Sequence, residues 1–558
     1  LPEQLISPAW KKFWRYYYIA SLCIVIASLP FSKFGLSLGQ FLLAGGWIVE
    51  RFDLQKFKFW LNGQSAPGKI VGFLPRAIGL IFQGIGKGFA HFFRNPSAVL
   101  FSSVLLFHLL GLFFTTDFDY AYKDLRTKLP LFLLPLFIST SEAFNRKGFY
   151  RLMFLFLLAI LVRSVYNTVL IQTNHYIDIR DVSRNVSHII FGLLLSTGIF
   201  TLLYFALKKQ FFPLSIRIAF LAIMVWFIIY LVISQSFTGI IISILTLIFL
   251  IPFLIVKTPK KWLKITLGTL ILVVLTGTFF FFRSLVRDYY HVNPINCNTL
   301  EKNTSRGNPY LHDTYSSTVE NGNYLWIYIQ WDELRESWNK RSRIPFDSLD
   351  KRRQPVAFTV IRFLTSKGWR KDADAMERLT REEIEAIEKG MTNVVFLKKL
   401  SIRGKVYEVL QGYDIYRETG NPTGSTLMQR FEFWKASVGL IRQHWLTGVG
   451  TGDMNIAFGR QYEIMDSKLA PDQRWRSHNQ FFSIFVGFGI FGLIWFLAAF
   501  FLPPFLKKWQ GDYFIIILLV IATLSMMTED TIESQTGVMF VTFFYSFFLF
   551  GRKEPDLL

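Results

Sequence analysis

Ser477-His-Asn-Gln480 runs directly into Phe481-Phe-Ser-Ile-Phe-Val-Gly-Phe-Gly-Ile-Phe-Gly-Leu-Ile-Trp-Phe-Leu-Ala-Ala-Phe-Phe-Leu502. The second part is an uncharged apolar run, and about 20 such residues are enough to cross a bilayer. Its start is polar, and its interior carries Gly487, Gly489 and Gly492. A polar rim on a glycine-bearing membrane helix therefore sets the reading of the whole chain. Upstream lie Arg430-Phe-Glu-Phe-Trp434 and the Gly-rich turn Gly448-Val-Gly-Thr-Gly-Asp453. Together they gather an Arg, a His and a tight turn at one rim of a membrane helix. That is a place to hold a charged, lipid-linked substrate.

Composition supports a membrane protein. The 558 residues are 52% hydrophobic and 17% aromatic, with a mean hydropathy of +0.34. Soluble domains of this length rarely combine so many Phe and Leu. About twelve spans are predicted, near 16–32, 36–50, 97–115, 129–140, 150–168, 187–206, 216–233, 238–256, 264–282, 478–502, 513–527 and 536–550. The fourth is the weakest, short and holding Pro130 and Pro135. The expected fold is thus all-α and polytopic.

The formal charge of +22 invites a nucleic-acid partner. Its placement argues against one. Lys11-Lys12, Arg146-Lys147, Lys208-Lys209, Lys260-Lys261, Lys507-Lys508 and Arg552-Lys553 sit in short loops between apolar runs, as the positive-inside rule expects. With the basic N-terminus inside, an odd number of spans before residue 284 puts segment 284–477 outside. Three regions follow. Residues 1–283 carry spans one to nine, with a basic stretch 51–95 that reads as one or two amphipathic helices on the inner leaflet. Residues 284–477 form an outer helical domain, and 478–558 hold the last three spans. Cys23 and Cys297 fall in an apolar run and a polar segment, so no disulfide is expected. No small-residue cleavage pattern follows the first apolar run.

The outer segment has its own helix signals. Trp is frequent in Leu325–Lys340, and Pro355–Ser366 has apolar helical spacing. Thr380-Arg-Glu-Glu383 is a capping box opening a helix towards Leu400. Ile402–Thr419 continues the pattern, which Gly420-Asn-Pro422 ends. Trp326, Trp331, Trp338 and Trp369 are candidates for a sugar-stacking surface, although a core or interface belt is the commoner use of such residues.

No nucleotide loop, dinucleotide fingerprint or metal-ligand spacing is present in the sequence. No cofactor and no metal are expected. Chemistry must instead use polar residues at the outer rim, where charge is expensive unless paired or functional. Candidates for substrate contact are Arg163 near the outer end of the fifth span, Arg180, Arg184 and His188 in the next outer loop, and Arg287 after the ninth span. Arg430 and His478 bracket the last part of the outer segment, and Glu529, Asp530 and Glu533 lie between the last two spans. An Arg fork suits a pyrophosphate, and His suits proton transfer near neutral pH. The carboxylates read as partners for the arginines. Each rim residue taken alone more often serves structure than catalysis, since ion-pair networks also place charges here. His108, mid-span, reads as a hydrogen-bonded core residue.

The stretch Arg430-x-x-x-Trp434, the Gly448–Gly452 turn and Ser477-His-Asn-Gln480 followed by Gly489-x-x-Gly492 resembles the bacterial O-antigen ligase superfamily of GT-C type membrane glycosyltransferases. The resemblance is strongest over residues 426–502. It implies transfer of a glycan from undecaprenyl pyrophosphate to an acceptor hydroxyl at the periplasmic face of the inner membrane. His478 is then the base and Arg430 a grip on the lipid pyrophosphate, with Gln235, Gly450 and Asn479 as further substrate-binding candidates. The implied partners are the lipid-linked glycan donor, membrane lipids, and an acceptor that is lipid A-core, a glycan or a protein. Ligation to lipid A-core in lipopolysaccharide biosynthesis is the reading chosen. O-antigen polymerase and protein O-oligosaccharyltransferase remain alternatives, as does a lipid-linked glycan transporter without chemistry. One departure stands out. Relatives often show Ser-Arg-Thr-Gly at the eighth span, whereas this chain reads Ser234-Gln-Ser-Phe-Thr-Gly239, so Gln235 brings no positive charge.

Overall fold

The computed structural model describes residues 8–52, 54–62, 66–173, 182, 186–257, 260–397 and 401–557. Its helices, in chain order, are α1 (Pro8–Ser28), α2 (Lys33–Glu50), α3 (Leu54–Asn62), α4 (Ala66–Phe93), α5 (Pro96–Ser102), α6 (Val104–Leu110), α7 (Phe118–Lys128), α8 (Pro130–Thr140), α9 (Arg146–Thr173), α10 (His188–Leu207), α11 (Leu214–Ile233), α12 (Phe237–Lys257) and α13 (Lys261–Tyr290). They continue with α14 (Trp331–Arg341), α15 (Val356–Ser366), α16 (Ala373–Arg378), α17 (Arg381–Glu388), α18 (Ile402–Thr419), α19 (Thr426–His444), α20 (Met454–Ile464), α21 (Gln480–Phe501), α22 (Pro503–Leu506), α23 (Tyr513–Thr528) and α24 (Gln535–Leu549). Each predicted apolar run falls on a helix or, for 97–115, on the broken pair α5 and α6. Among the described residues, six stretches are long and apolar enough to cross a membrane: Pro96–Phe114, Arg146–Thr173, His188–Leu207, Leu214–Ile233, Lys261–Tyr290 and Gln480–Phe501. The chain is a polytopic helical membrane protein.

Two compact units divide the chain, one formed by Leu1–Leu267 with Arg430–Leu558, the other by Gly268–Gln429. In the first, α10 and α24 run through the core. Every residue of α24 from Thr536 to Leu549 is buried. Such all-round burial explains why neither helix shows an amphipathic stripe. The basic stretch 51–95 forms α3 and α4, with Phe59, Leu74 and Phe82 exposed between its charges.

In the second unit, Trp338 is fully buried with Leu334, Phe346, Val360 and Leu364, and Trp326, Trp331 and Trp369 pack against that cluster. Trp338 is thus a core residue, and the other three are half-buried at the edge of that core. The Thr380–Glu383 capping box forms as predicted, but its helix stops at Glu388 because Gly390 turns the backbone at φ +79°. Gly420 ends α18 in the left-handed region. The unit is not purely helical. Val319–Glu320 and Asn323–Tyr324 make a two-stranded hairpin about Asn321-Gly322, an Asn-Gly turn that helical pattern reading passes over. Cys23 and Cys297 are free thiols.

The C-terminus is clasped by buried charge. Arg552 reaches Asp512 at 2.6 Å and Asp556 at 3.2 Å, and Asp556 also accepts from Tyr150 and Tyr204, each at 3.0 Å. Asp512 is fully buried and caps α23. Sequence reading took Arg552 for a topology charge, but a guanidinium beside two buried carboxylates is a structural tie. Arg552→Ala, which takes the guanidinium from buried Asp512 while Asp556 keeps Arg146 and the two tyrosines, should cost about 3–5 kcal/mol. A large fall in the thermal midpoint of the detergent-solubilised protein checks this, while Lys553→Ala on the next residue should leave it nearly unchanged.

Candidate functional site

The site is built on an interrupted helix. Within α21, Gly489 has φ +65° and ψ −167°, which breaks the helical ladder. The freed groups are taken up by the Gly-rich turn. Val449 N–H donates to the Val486 carbonyl and Gly450 N–H to that of Gly487, each at 2.9 Å, and Ile490 N–H donates to the Trp445 carbonyl at 2.8 Å. A side chain on Gly489 would overlap the Leu446 carbonyl, and one at Gly450 (φ +90°) would sit 2.9 Å from the Gly111 carbonyl oxygen. The turn is therefore seated by backbone contact. Asp453 fixes its far end by accepting from the N–H of Thr116 and Asp117 and from the Thr116 hydroxyl, all within 3.0 Å. Thr451 Oγ1 donates to the His108 carbonyl. Gly450 thus serves the backbone of this joint.

The same joint anchors α19 and α20, whose Phe433, Ala436, Leu440, Phe458 and Tyr462 pack with Val486 of α21. On this base stand Arg430 and His478. Arg430 Nη2 donates to Glu529 Oε1 at 2.5 Å, and His478 Nδ1 lies 3.1 Å from Glu529 Oε2. One carboxylate thus joins the two residues singled out from the sequence. Because a carboxylate accepts, Nδ1 carries the hydrogen and Nε2 keeps its lone pair when the ring is neutral. Phe433 stacks on the imidazole at 5.3 Å. The His478 backbone is left-handed, with φ +45°, a conformation that needs outside support. Asp530 supplies it by accepting from His478 N–H at 3.1 Å and from Ser483 Oγ at 2.7 Å. Burial pushes the Asp530 carboxyl above its ordinary range, against the pull of Arg476.

A second cluster lies alongside. Lys128 Nζ bridges Asp124 at 2.6 Å and Glu533 at 2.8 Å, and Arg476 reaches Glu533 at 3.3 Å. Gln480 donates to the other Glu533 oxygen at 3.0 Å and accepts from Ile532 N–H. Burial raises the Asp124 carboxyl to about 6, although Lys128 opposes it. Burial would raise Glu533 too, but Lys128 and Arg476 more than offset that and hold it well below the usual carboxylate range. These carboxylates partner cations, as the sequence suggested. Among the described residues, no three His, Cys, Asp or Glu side chains form a group fit for a metal ion.

His478, Glu529, Asp530, Glu533, Arg476 and Trp475 line a cavity of about 300 Å³ together with Lys33, with Ser187, Ile189 and Ile190 at the start of α10, and with Ser534 and Thr536. That is the lower end of ligand-pocket volumes. Arg430 stands behind Glu529. Asn479 caps α21 through Phe481 and Phe482 N–H and donates to the Met527 carbonyl. Arg163 is buried on α9 between the rings of Phe31 and Tyr166, at 5.7 and 5.6 Å, with no carboxylate partner among the described residues. His188 is the first residue of α10, after the N-cap Ser187. Gln235 takes φ +51° at the tight turn joining α11 to α12. Arg287 is exposed in the second unit beside Asp288. Arg180 and Arg184 lie outside the described residues. His108 is buried and bonded to the Val104 carbonyl at 3.1 Å.

Sequence reasoning passed over Lys33. The available signal was a lone cation between the first two spans, on the side where the positive-inside rule expects none.

A broken apolar helix, a network of paired charges and a histidine lining a cavity thus stand together in one unit of a helical membrane protein. Residues 373–497 match the O-antigen ligase family model. That stretch holds Arg430, the Gly448–Asp453 turn and His478, and the match supports the O-antigen ligase superfamily, a group of glycosyltransferase-type membrane enzymes. No curated protein matches the chain.

Gly489→Ala forces a side chain into the left-handed region and against the Leu446 carbonyl. It should cost at least about 1–2 kcal/mol and loosen the turn. Limited proteolysis is the check: cleavage within 445–453 should appear in Gly489→Ala and be absent in Gly459→Ala, where a Cβ meets open space.

Proposed function

We propose that this protein transfers a glycan from undecaprenyl pyrophosphate to an acceptor hydroxyl at the periplasmic face of the bacterial inner membrane, most simply as O-antigen ligation to lipid A-core. The observation that carries this reading is the Arg430–Glu529–His478 chain on the wall of the cavity. His478 Nε2 takes the proton from the acceptor hydroxyl as its oxygen attacks the anomeric carbon. The bond from that carbon to the phosphate oxygen breaks, and the lipid pyrophosphate leaves with the electron pair. Glu529 steadies the imidazolium, and Arg430 holds Glu529, so Arg430 acts as a positioning residue. The proton passes on to the departing phosphate or to water. The reaction uses no metal in this reading. Glu533 and Asp124 are occupied by Lys128 and Arg476, Asp530 by hydroxyl and N–H donors, and preorganised cations can stabilise the leaving charge.

The test is a purified-protein assay with lipid-linked glycan and lipid A-core, free glycan or protein acceptors, without ATP. His478→Ala should lower kcat by about 10²–10⁴-fold, with donor binding largely intact. Glu529→Gln should lower kcat less, and Glu529→Asp should restore part of it. Arg430→Lys should not rescue Arg430→Ala fully, because Lys lacks the planar fork. Near-normal transfer by a well-folded His478→Ala protein would remove it from the mechanism. Translocation of intact lipid-linked glycan in liposomes without transfer would favour a transporter instead. Chelator treatment should leave the rate unchanged, and a loss reversed by magnesium or manganese would contradict the metal-free route.

A further inference from the structure

The cavity beside His478 has a charge problem. Its three carboxylates are all committed: Glu529 to Arg430 and His478, Asp530 to Ser477, Ser483 and the His478 N–H, and Glu533 to Lys128, Arg476 and Gln480. Arg476, the cation that lines the cavity beside them, is therefore already neutralised, and an arriving diphosphate gains little from it. Lys33 is different: it lines the same cavity, is exposed, and has no carboxylate partner among the described residues.

Its location is electrostatically unfavourable for stability. Lys33 is the first residue of α2, which Ser32 caps by accepting from Gly35 N–H at 3.1 Å. A helix N-terminus carries roughly half a positive charge, so a lysine there is repelled. Two further helix starts reach the same cavity, that of α10 through Ser187, Ile189 and Ile190 and that of α24 through Ser534 and Thr536. None of the three helices has an acidic residue in its first turn. The starts of three helices and an ammonium without a carboxylate partner among the described residues thus line a volume of about 300 Å³, to which α23 brings its opposite end at Glu529. An anion in that volume relieves the repulsion.

We propose that Lys33 is the cation that meets the diphosphate of the lipid carrier, in the cavity that it lines together with His478. This rests on the transfer reaction proposed above. Lys33 holds the diphosphate, which is already charged in the bound donor, while His478 takes the acceptor's proton, so the cavity gives its two tasks to different residues.

Full-length protein in detergent, with undecaprenyl-pyrophosphate-linked glycan as donor, provides the test. Lys33→Gln should raise the donor KM by roughly tenfold or more, the loss of a charge-assisted contact, with kcat changed by less than about threefold. Lys33→Arg should restore KM, which a packing role would not require. Undecaprenyl pyrophosphate without glycan should inhibit wild type competitively and lose potency against Lys33→Gln to a similar degree. Inorganic pyrophosphate should compete much more weakly, and equal competition by it would overturn the lipid carrier as the ligand. An unchanged donor KM in a folded Lys33→Gln protein, or a fall confined to kcat, would overturn the role of Lys33. Direct binding of undecaprenyl pyrophosphate, measured in the absence of acceptor, judges Lys33 separately. If wild type binds the lipid through Lys33 yet transfers no glycan to any acceptor, the transfer reaction fails and the binding assignment stands.

Discussion

A helix in a membrane cannot be interrupted without new partners for its freed N–H and C=O groups, because hydrocarbon offers none. Gly489 interrupts α21, and the partners come from residues 445–450 of the loop before α20. This one requirement organises the surroundings. The turn must approach backbone to backbone, which is why glycine stands at Gly450 and Gly489, where a Cβ would meet carbonyl oxygen. Once seated, it holds α19 and α20 against the first half of α21. That packing brings Phe433 onto the His478 ring and Arg430 to Glu529. The joint is thus the reason that residues almost fifty positions apart share one carboxylate.

The helices were legible in the sequence because each carries a long apolar run, and bilayer thickness leaves few ways to use one. Less legible was which charges are structural. Arg552 reads as a loop cation, since sequence shows Lys553 beside it but not Asp512 forty residues before. Gly450 reads as part of a site, since a Gly-rich turn looks the same whether it cradles a ligand or a helix break. The tryptophans of the second unit read as a surface or a core with equal ease, and only the burial of Trp338 separates them. Capping residues fared well, because Thr380 and Gly420 act on their own turns. The hairpin at Asn321-Gly322 is local too, but its strands are only two residues long and leave no alternating pattern.

The candidate site was half legible for a related reason. His478 and Arg430 could be named from residue type and motif, yet what each faces depends on Glu529, which comes from a different helix end. Geometry changes the division of labour. Arg430 stands behind the carboxylate, and its charge is largely answered there. Lys128 and Arg476 are answered by Glu533 in the same way. A cation paired with a buried carboxylate offers an arriving anion little net field, whatever its hydrogen-bonding capacity. Counting arginines near a rim therefore overstates how much positive charge a substrate meets.

Lys33 and Arg163 of α9 have no carboxylate partner among the described residues, and the Arg163 guanidinium lies 5.7 Å from the ring of Phe31, two residues before Lys33. Both adjoin the turn from α1 to α2. Such cations, and a histidine backed by a carboxylate, suit a reaction that creates a phosphate charge and an imidazolium together. The two must be stabilised at once and kept from neutralising each other early. A single mixed network would let Glu529 pair with the phosphate-binding cations and leave the histidine unsupported. The Arg430 pairing opposes that exchange, because Glu529 cannot reorient without stranding the guanidinium.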